Sequence, residues 1–422
     1  MDREEETRNG DLTRHVSKKP KLNPFISEPE IRDEFSHHQQ GVARINNGSF
    51  GSCPRSVLAA QKAWQLKFLQ QPDDFYFNNL RKGILESRTV IKDLINADDV
   101  DEISLVDNAT TAAAIVLQQI GRGFSEGKFN ENDTVLMLHC AFQAVKKSIQ
   151  AYVTRAGGSI IEIQLPFPII SEKEIIKEFK KGLEKGKENG KTIRLAIIDH
   201  ITSMPCVVIP VRKLVQICRE EGVEQVFVDA AHAIGSVKID VKEIGADFYV
   251  MVSHEFGNGL PIESAWIGTR DYSAQLVVPS AVKFVNRFEG GTDGIMKRNH
   301  EQVLKMGKML AESWGTNLGS PPEMCAGMVM VGLPSSLKVM NEEDASRLRG
   351  HLRVYFGVEV PIYYQVPKDD GEGAAKDKDG IITGYARISH QVYNTLEDYE
   401  KFKEAIIGLV EERKVCKMLL SE

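Results

Sequence analysis

Gln225-Val226-Phe227-Val228-Asp229-Ala230-Ala231-His232 is an apolar run that ends on a carboxylate, with a histidine three residues further on. Such a run reads as a buried strand, and a carboxylate at a strand's C-terminal end stands where open α/β sheets bind their ligands. Asp229 equally fits a helix N-cap beside a packed histidine, and the run alone leaves both readings open.

Similar short apolar runs flank this one at residues 134–138, 160–165, 194–198 and 248–252, with helical stretches between them. One of those stretches opens on Ser171 and Glu174 in capping-box spacing, followed by Ile175, Ile176 and Phe179. Strand–helix–strand alternation predicts an α/β fold with a mostly parallel sheet covered on both faces. Upstream, Ser52 and Pro54 mark a helix start with Val57, Ala60, Trp64 and Phe68 on one stripe. Beyond about residue 280 the pattern becomes α+β. Helices are predicted around 294–313, 342–356 and 397–411, strands near 327–331 and 358–364, and a charged loop at 367–380. The expected division is a disordered tail over 1–25, a large domain over 26–280 and a small C-terminal α+β domain over 281–422.

The bulk numbers narrow the function class. With 422 residues, 42% hydrophobic and 27% charged, the chain has the composition of a globular protein. A net charge of -6 gives no nucleic-acid footprint. No apolar run approaches the roughly 20 residues that span a bilayer, and the acidic start MDREEETRNG lacks a secretory h-region. Six scattered cysteines without a Cys-x-x-Cys pair suggest a reducing compartment, the cytoplasm, and no structural metal site. Lys18, Lys19 and Lys21 fit a nuclear signal as well as a solvated tail.

Two further stretches carry chemistry. Asp107-Asn108-Ala109-Thr110-Thr111-Ala112 opens a helix, where free N–H groups and the dipole favour a phosphate; a plain N-cap by Asn108 or Thr110 is the alternative. Arg387, in Tyr385-Ala386-Arg387-Ile388-Ser389-His390-Gln391-Val392-Tyr393-Asn394, offers a fork that matches a carboxylate, or is a surface arginine on an edge strand. Three other patterns fail. Gly121-Arg122-Gly123 follows a helix rather than a strand, His254-Glu255 has Asn258 where a zinc protease needs histidine, and Ser203 near His200 has no nucleophile elbow.

The order of these pieces resembles the class V aminotransferases, which use pyridoxal 5'-phosphate (PLP). Within that family the likeness is to the isopenicillin-N-epimerase-like branch, and most closely to plant L-cysteine desulfhydrases. It runs from Arg44-Ile45-Asn46-Asn47-Gly48-Ser49-Phe50-Gly51 through Asn108-Ala109-Thr110-Thr111-Ala112, Asp229-x-x-His232 and Trp266-Ile267-Gly268-Thr269-Arg270-Asp271 to Arg387-x-Ser389-x-x-x-Tyr393-Asn394. The resemblance implies the type I fold of PLP-dependent transferases. Ala109, Thr110 and Thr111 would hold the PLP phosphate, Phe142 in His139-Cys140-Ala141-Phe142 would stack on the ring, and Asp229 would pair with the pyridine nitrogen. His232 would sit near the phenolic oxygen, Ser203 would touch cofactor or substrate, and Thr269 would reach the phosphate of a neighbouring subunit's cofactor, which implies a homodimer. Asn47 and Arg387 would bind the substrate, L-cysteine, whose conversion yields hydrogen sulfide, pyruvate and ammonia.

One expected residue is missing. The family carries its Schiff-base lysine, preceded by histidine, shortly after the strand that here reads Phe248-Tyr249-Val250; this chain continues Met251-Val252-Ser253-His254-Glu255-Phe256, with no lysine between Lys242 and Lys283. Either glutamate replaces lysine at Glu255, or a segment is absent. Ten residues, Phe256 to Ala265, separate Glu255 from Trp266 and include Gly257, Gly259 and Pro261, which make a loop rather than a central strand. Spacing therefore favours the loss of roughly thirty residues, about two strand-length units with their turns, near 250–252. The expected outcome is an impaired lyase. The alternatives are a non-catalytic relic or dimer partner, or another class V activity such as cysteine desulfurase, epimerase or aminotransferase.

Overall fold

A computed structural model describes residues 25–251, 269–366 and 374–419. The basic patch at Lys18–Lys21, the His254-Glu255-Phe256 stretch, Trp266 and the first part of the 367–380 loop lie outside the described residues.

Five strands form one parallel sheet: β2 (Thr134–Leu138), β3 (Ser159–Ile163), β4 (Ile193–Asp199), β5 (Gln225–Ala230) and β6 (Phe248–Met251), in the order β3-β2-β4-β5-β6. All five were predicted, with ends shifted by two residues at most. Their near-continuous apolar runs follow from burial on both faces. Leu136, Leu138, Ala196, Ile198, Val226 and Val228 pack on one side in the main core, with Phe179, Leu183 and Leu214 from the crossover helices. Val135, Met137, Leu195, Ile197, Phe227 and Val250 pack on the other, against Ala113, Leu117 and Phe124 of the helix Ala109–Ser125. Gly121 lies inside that helix, where a Cβ would stand 2.4 Å from the carbonyl oxygen of Tyr152, so it serves close packing rather than a nucleotide. At Ser171 the capping box is displaced by one residue: the Glu174 carboxylate accepts from the N–H of Ile170 at 3.1 Å.

The C-terminal part is α+β. Strands β7 (Met328–Gly332), β9 (Ile362–Tyr364) and β10 (Gly384–Ser389) form an antiparallel sheet with β10 in the centre, and β1 (Ala43–Arg44) pairs parallel with β8 (Val358–Glu359). Two features refine the expected division. Ala43 and Ile45 join the C-terminal core rather than the large one, and residue 280 falls inside the helix Val278–Val285. Among the described residues no helix is long and apolar enough to cross a membrane.

Phe227, 2% exposed, anchors the strand that carries Asp229. Phe227→Ala is expected to lower stability in urea denaturation by about 3–5 kcal/mol; a loss under about 1 kcal/mol would mean that β5 is not packed as described.

Candidate active site

Side chains alternate across a strand, so residues two apart share a face. Continuing Val135 and Met137, Leu195 and Ile197, and Phe227 past the apolar core puts His139, Asp199 and Asp229 at the carboxyl ends of β2, β4 and β5, all on the face covered by the helix Ala109–Ser125. Asp199 and Asp229 are register partners on adjacent strands. Asp229 is 8% exposed, and its carboxylate accepts a hydrogen bond from the N–H of Ala231 at 3.1 Å. Burial pushes its carboxyl above the usual carboxylate range. No cation among the described residues forms an ion pair with it. His200, the next residue along β4, turns to the opposite side, where its Nδ1 pairs with the Tyr249 hydroxyl at 2.6 Å.

The helix above this face starts as its sequence suggests. Asn108 is the N-cap: its side-chain oxygen accepts from the N–H of Thr111 at 2.9 Å and from the Thr111 hydroxyl at 3.2 Å. That bond serves one of the four orphan donors of the first turn and leaves the N–H groups of Ala109 and Thr110 for a ligand. Capping and anion binding are therefore compatible here. Ala109 packs against the cluster that holds Phe227 and Val250, which brings the helix start over the ends of β5 and β6. Thr269 is exposed, and its neighbour Arg270 pairs with Asp107 of the same chain, directly before the helix.

Two rings stand at the end of β2. Phe142 is 52% exposed, at the N-cap of the helix Gln143–Tyr152. His139 is held by the neighbouring strand's end: its Nδ1 lies 3.0 Å from the Leu165 nitrogen and 3.3 Å from the Ile163 carbonyl oxygen. Burial lowers its pKa, which keeps it neutral. The alternation from Val135 and Met137 puts the His139 ring beside Phe142 at this strand end.

A second cluster forms around Arg387. It is no surface residue: on the central strand β10 it is 1% exposed, which overturns the edge-strand alternative. Its Nη1 donates to the Ser203 carbonyl at 3.0 Å and hydroxyl at 2.8 Å. Its Nη2 donates to the Asn46 side-chain oxygen at 3.1 Å and to the Ser49 hydroxyl. Asn47, next in the loop, donates from its side chain to Asn394 at 2.8 Å and accepts from the Tyr393 hydroxyl at 2.7 Å. Gly48 makes that loop possible, since a Cβ there would collide with the Met328 sulfur at 2.2 Å and stand 3.6 Å from the Arg387 guanidinium carbon. Asn47, His232, Met328, Ser389 and Tyr393 line one cavity of about 270 Å³. The structure thus groups Ser203 and Arg387 directly, puts Asn47 beside the Asn46 that Arg387 bonds and in one cavity with His232, and groups Asp229 with the helix start.

None of the six cysteines is exposed. Burial pushes the thiols of Cys206, Cys218, Cys325 and Cys416 up to about 12, and burial together with Asp199 raises Cys140 well above the usual thiol range.

Residues 76–258 match the family described as aminotransferase class-V. An L-cysteine desulfhydrase of Arabidopsis thaliana is 64% identical over 98% of this chain and 98% of its own length. Putative L-cysteine desulfhydrase 1 of Oryza sativa subsp. japonica is 57% identical over 91% of this chain and 86% of its own. Among solved structures, an apo cysteine desulfurase from Thermococcus onnurineus superposes with a TM-score of 0.62 at 18% identity, covering 87% of this chain and 94% of that one. A mutant of C-DES with glycine covalently linked to its PLP cofactor superposes with a TM-score of 0.66 at 15% identity, covering 89% and 98%. The Arabidopsis alignment spans 448 positions, whereas 98% of 422 residues is about 414, so about 34 positions face no residue of this chain. For the rice relative the same arithmetic, 417 positions against about 384 residues, leaves about 33.

Two measurements check the site as built. Arg387→Ala strands acceptors at Ser203 and Asn46 and is expected to cost about 2–4 kcal/mol in urea denaturation, with Arg387→Lys losing less because one ammonium keeps the charge but reaches only one side. Loss of under about 0.5 kcal/mol for the alanine variant would contradict the burial described. A thiol reagent at about pH 8 is expected to leave Cys206, Cys218, Cys325 and Cys416 unlabelled in the native chain and to label them after unfolding; rapid native labelling of any of these would contradict their burial.

Proposed function

The chain belongs to the class V aminotransferase family, and on that premise we propose that it is a PLP-dependent carbon–sulfur lyase of the L-cysteine desulfhydrase type, impaired by the loss of the segment that bears the catalytic lysine. The observation that carries the cofactor reading is Asp229, a buried carboxyl without a cationic partner among the described residues, at the carboxyl end of a strand beneath a helix start. A ring nitrogen that can carry a proton fits that vacancy in charge, and a phosphate fits the N–H groups of Ala109 and Thr110.

When bound, PLP supplies an electron sink for the substrate's α-carbon. Asp229 keeps a proton on the ring nitrogen. Ala109, Thr110 and the Thr111 hydroxyl hold the phosphate, with Thr269 beside them or serving a neighbouring subunit in a homodimer. Phe142 and the fixed ring of His139 are the two candidates to cover the ring, and His232 stands toward its phenolic oxygen. Arg387 holds the substrate carboxylate. Because both of its terminal nitrogens are already engaged, the carboxylate must displace the Asn46 or Ser49 contact. Asn47 and Ser203 keep that loop in place. L-cysteine and water would then give hydrogen sulfide, pyruvate and ammonia.

The proton step at the α-carbon has no agent. A family lysine serves both as covalent anchor and as base there, and the chain has none between Lys242 and Lys283. The alignment shortfall of about 34 positions supports a lost segment over a Glu255 substitution. Against a persulfide-forming desulfurase, which needs a reactive thiol, stands the burial of Cys206, Cys218, Cys325 and Cys416, whose thiols are pushed up to about 12. Six scattered cysteines without a Cys-x-x-Cys pair fit a reducing compartment, the cytoplasm.

The test compares this chain with a chimera carrying the roughly 30 additional residues of the Arabidopsis relative after Met251. With L-cysteine and PLP, the chimera is expected to release sulfide at least about 100-fold faster, the lower end of what a positioned acid–base group contributes. Borohydride reduction is expected to label a lysine in the chimera and none in this chain. Equal sulfide release, or a labelled lysine in this chain, would falsify the loss.

A further inference from the structure

Asp199 has no part in the chemistry above. It ends β4 in register with Asp229, on the same sheet face, with the two backbones roughly 4.8 Å apart. It is 4% exposed, and its Oδ2 is buried without a hydrogen-bond partner. Its charged surroundings are sparse. Lys146, on the helix Gln143–Tyr152, is the cation whose field reaches it, and that ammonium is already paired with Glu162 at 3.3 Å. Cys140 is a protonated thiol, His139 a neutral ring, and His200 faces the other way.

Two carboxyls that share a buried site do not both ionise, because each charge opposes the other and both lose solvation. The two are not equivalent. Asp229 has the Ala231 N–H to stabilise its anion. Asp199 has an unpartnered oxygen, and after burial the second cause that raises its pKa is the charge of Asp229.

We propose that Asp199 is a positioning residue that stays a neutral acid beside Asp229, so that the pair carries a single negative charge, held on the carboxylate facing the cofactor's ring nitrogen. The role in cofactor binding rests on the reading of Asp229 given above; the shared proton does not. A single charge balances one protonated ring nitrogen, and a second would burden the ligand-free protein with an uncompensated buried anion.

The sign of the pH effect follows. A carboxyl whose folded pKa is raised contributes stability below its unfolded value of about 3.9, and that stability is lost as pH rises through the folded value. Asp199→Asn is neutral at every pH and escapes the loss. The test melts the ligand-free full chain, wild type against Asp199→Asn, at about pH 5 and about pH 8.5. It also titrates each with PLP by tryptophan fluorescence at about pH 7, beside Asp229→Asn; Asp199→Ser stands in should the asparagine variant fail to fold. The melting temperature of Asp199→Asn is expected to gain on wild type between the two pH values, with PLP affinity kept within about twofold, while Asp229→Asn weakens PLP by about tenfold or more. A melting difference that does not change with pH, or one that falls as pH rises, overturns the proposal. So does a tenfold loss of PLP affinity in Asp199→Asn, which would make Asp199 a direct contact. If instead Asp229→Asn binds PLP normally, the cofactor reading of Asp229 fails while the pH result still decides the shared proton.

Discussion

One buried guanidinium joins three parts of the chain that are far apart in sequence. Arg387 reaches the Asn46–Ser49 loop, 341 residues away by its bond to Asn46, and the Ser203 turn, 184 residues away. The loop belongs to the N-terminal segment, the turn follows β4 of the parallel sheet, and the arginine sits on the C-terminal sheet. A charge 1% exposed is tolerated only because its terminal nitrogens all find oxygen acceptors. The bonds that make the burial affordable also fix the relative placement of the loop, the turn and the small sheet. The same cluster fixes Asn47 and leaves the cavity it shares with His232 open. A site built on this tie inherits its rigidity, and a ligand that takes over one arm of the fork takes over part of the tie.

The parallel sheet adds the second constraint. All five strands run the same way, so their carboxyl ends, and the turns that follow them, collect at one edge. Alternation then decides which end residues meet. His139, Asp199 and Asp229 share a face because each stands two residues beyond an inward apolar side chain, and Tyr249 and His200 share the opposite one. A one-residue slip in any strand would exchange the two sets.

Much of this was legible beforehand. The five strands were legible because buried parallel strands are nearly unbroken apolar runs, and the helix start at Ala109 because Asn108 is a strong N-cap. Three things were not. Arg387 reads as a surface residue in any local window, because its burial depends on acceptors at Asn46, Ser49 and Ser203 that no window contains. The anchoring of His139 depends on Ile163 and Leu165, which follow a separate strand and stand in no local window around residue 139. Asp199 directly follows the apolar run 194–198, and nothing local marks it. Its meaning comes from the register with β5, which depends on the pairing of two separated segments. The attachment of Ala43 and Ile45 to the C-terminal core was hidden for the same reason.

Gripping a ligand and transforming it draw on different segments of this fold. The groups proposed for the phosphate, the ring nitrogen and the substrate carboxylate stand on the helix Ala109–Ser125, on β5 and on β10; the first two share one apolar cluster and the third has another. The lysine that moves a proton would stand beyond β6, which among the described residues pairs with β5 alone. Loss of a stretch there would take the base and leave the packing described for the three proposed grips, the first of which also leans on the Arg270–Asp107 pair from beyond β6. A chain of this kind can therefore keep the recognition chemistry of its family after the reactive group has gone. For the same reason, a match between its binding residues and those of an active relative is an argument about ligands and leaves turnover to be decided by the lysine alone.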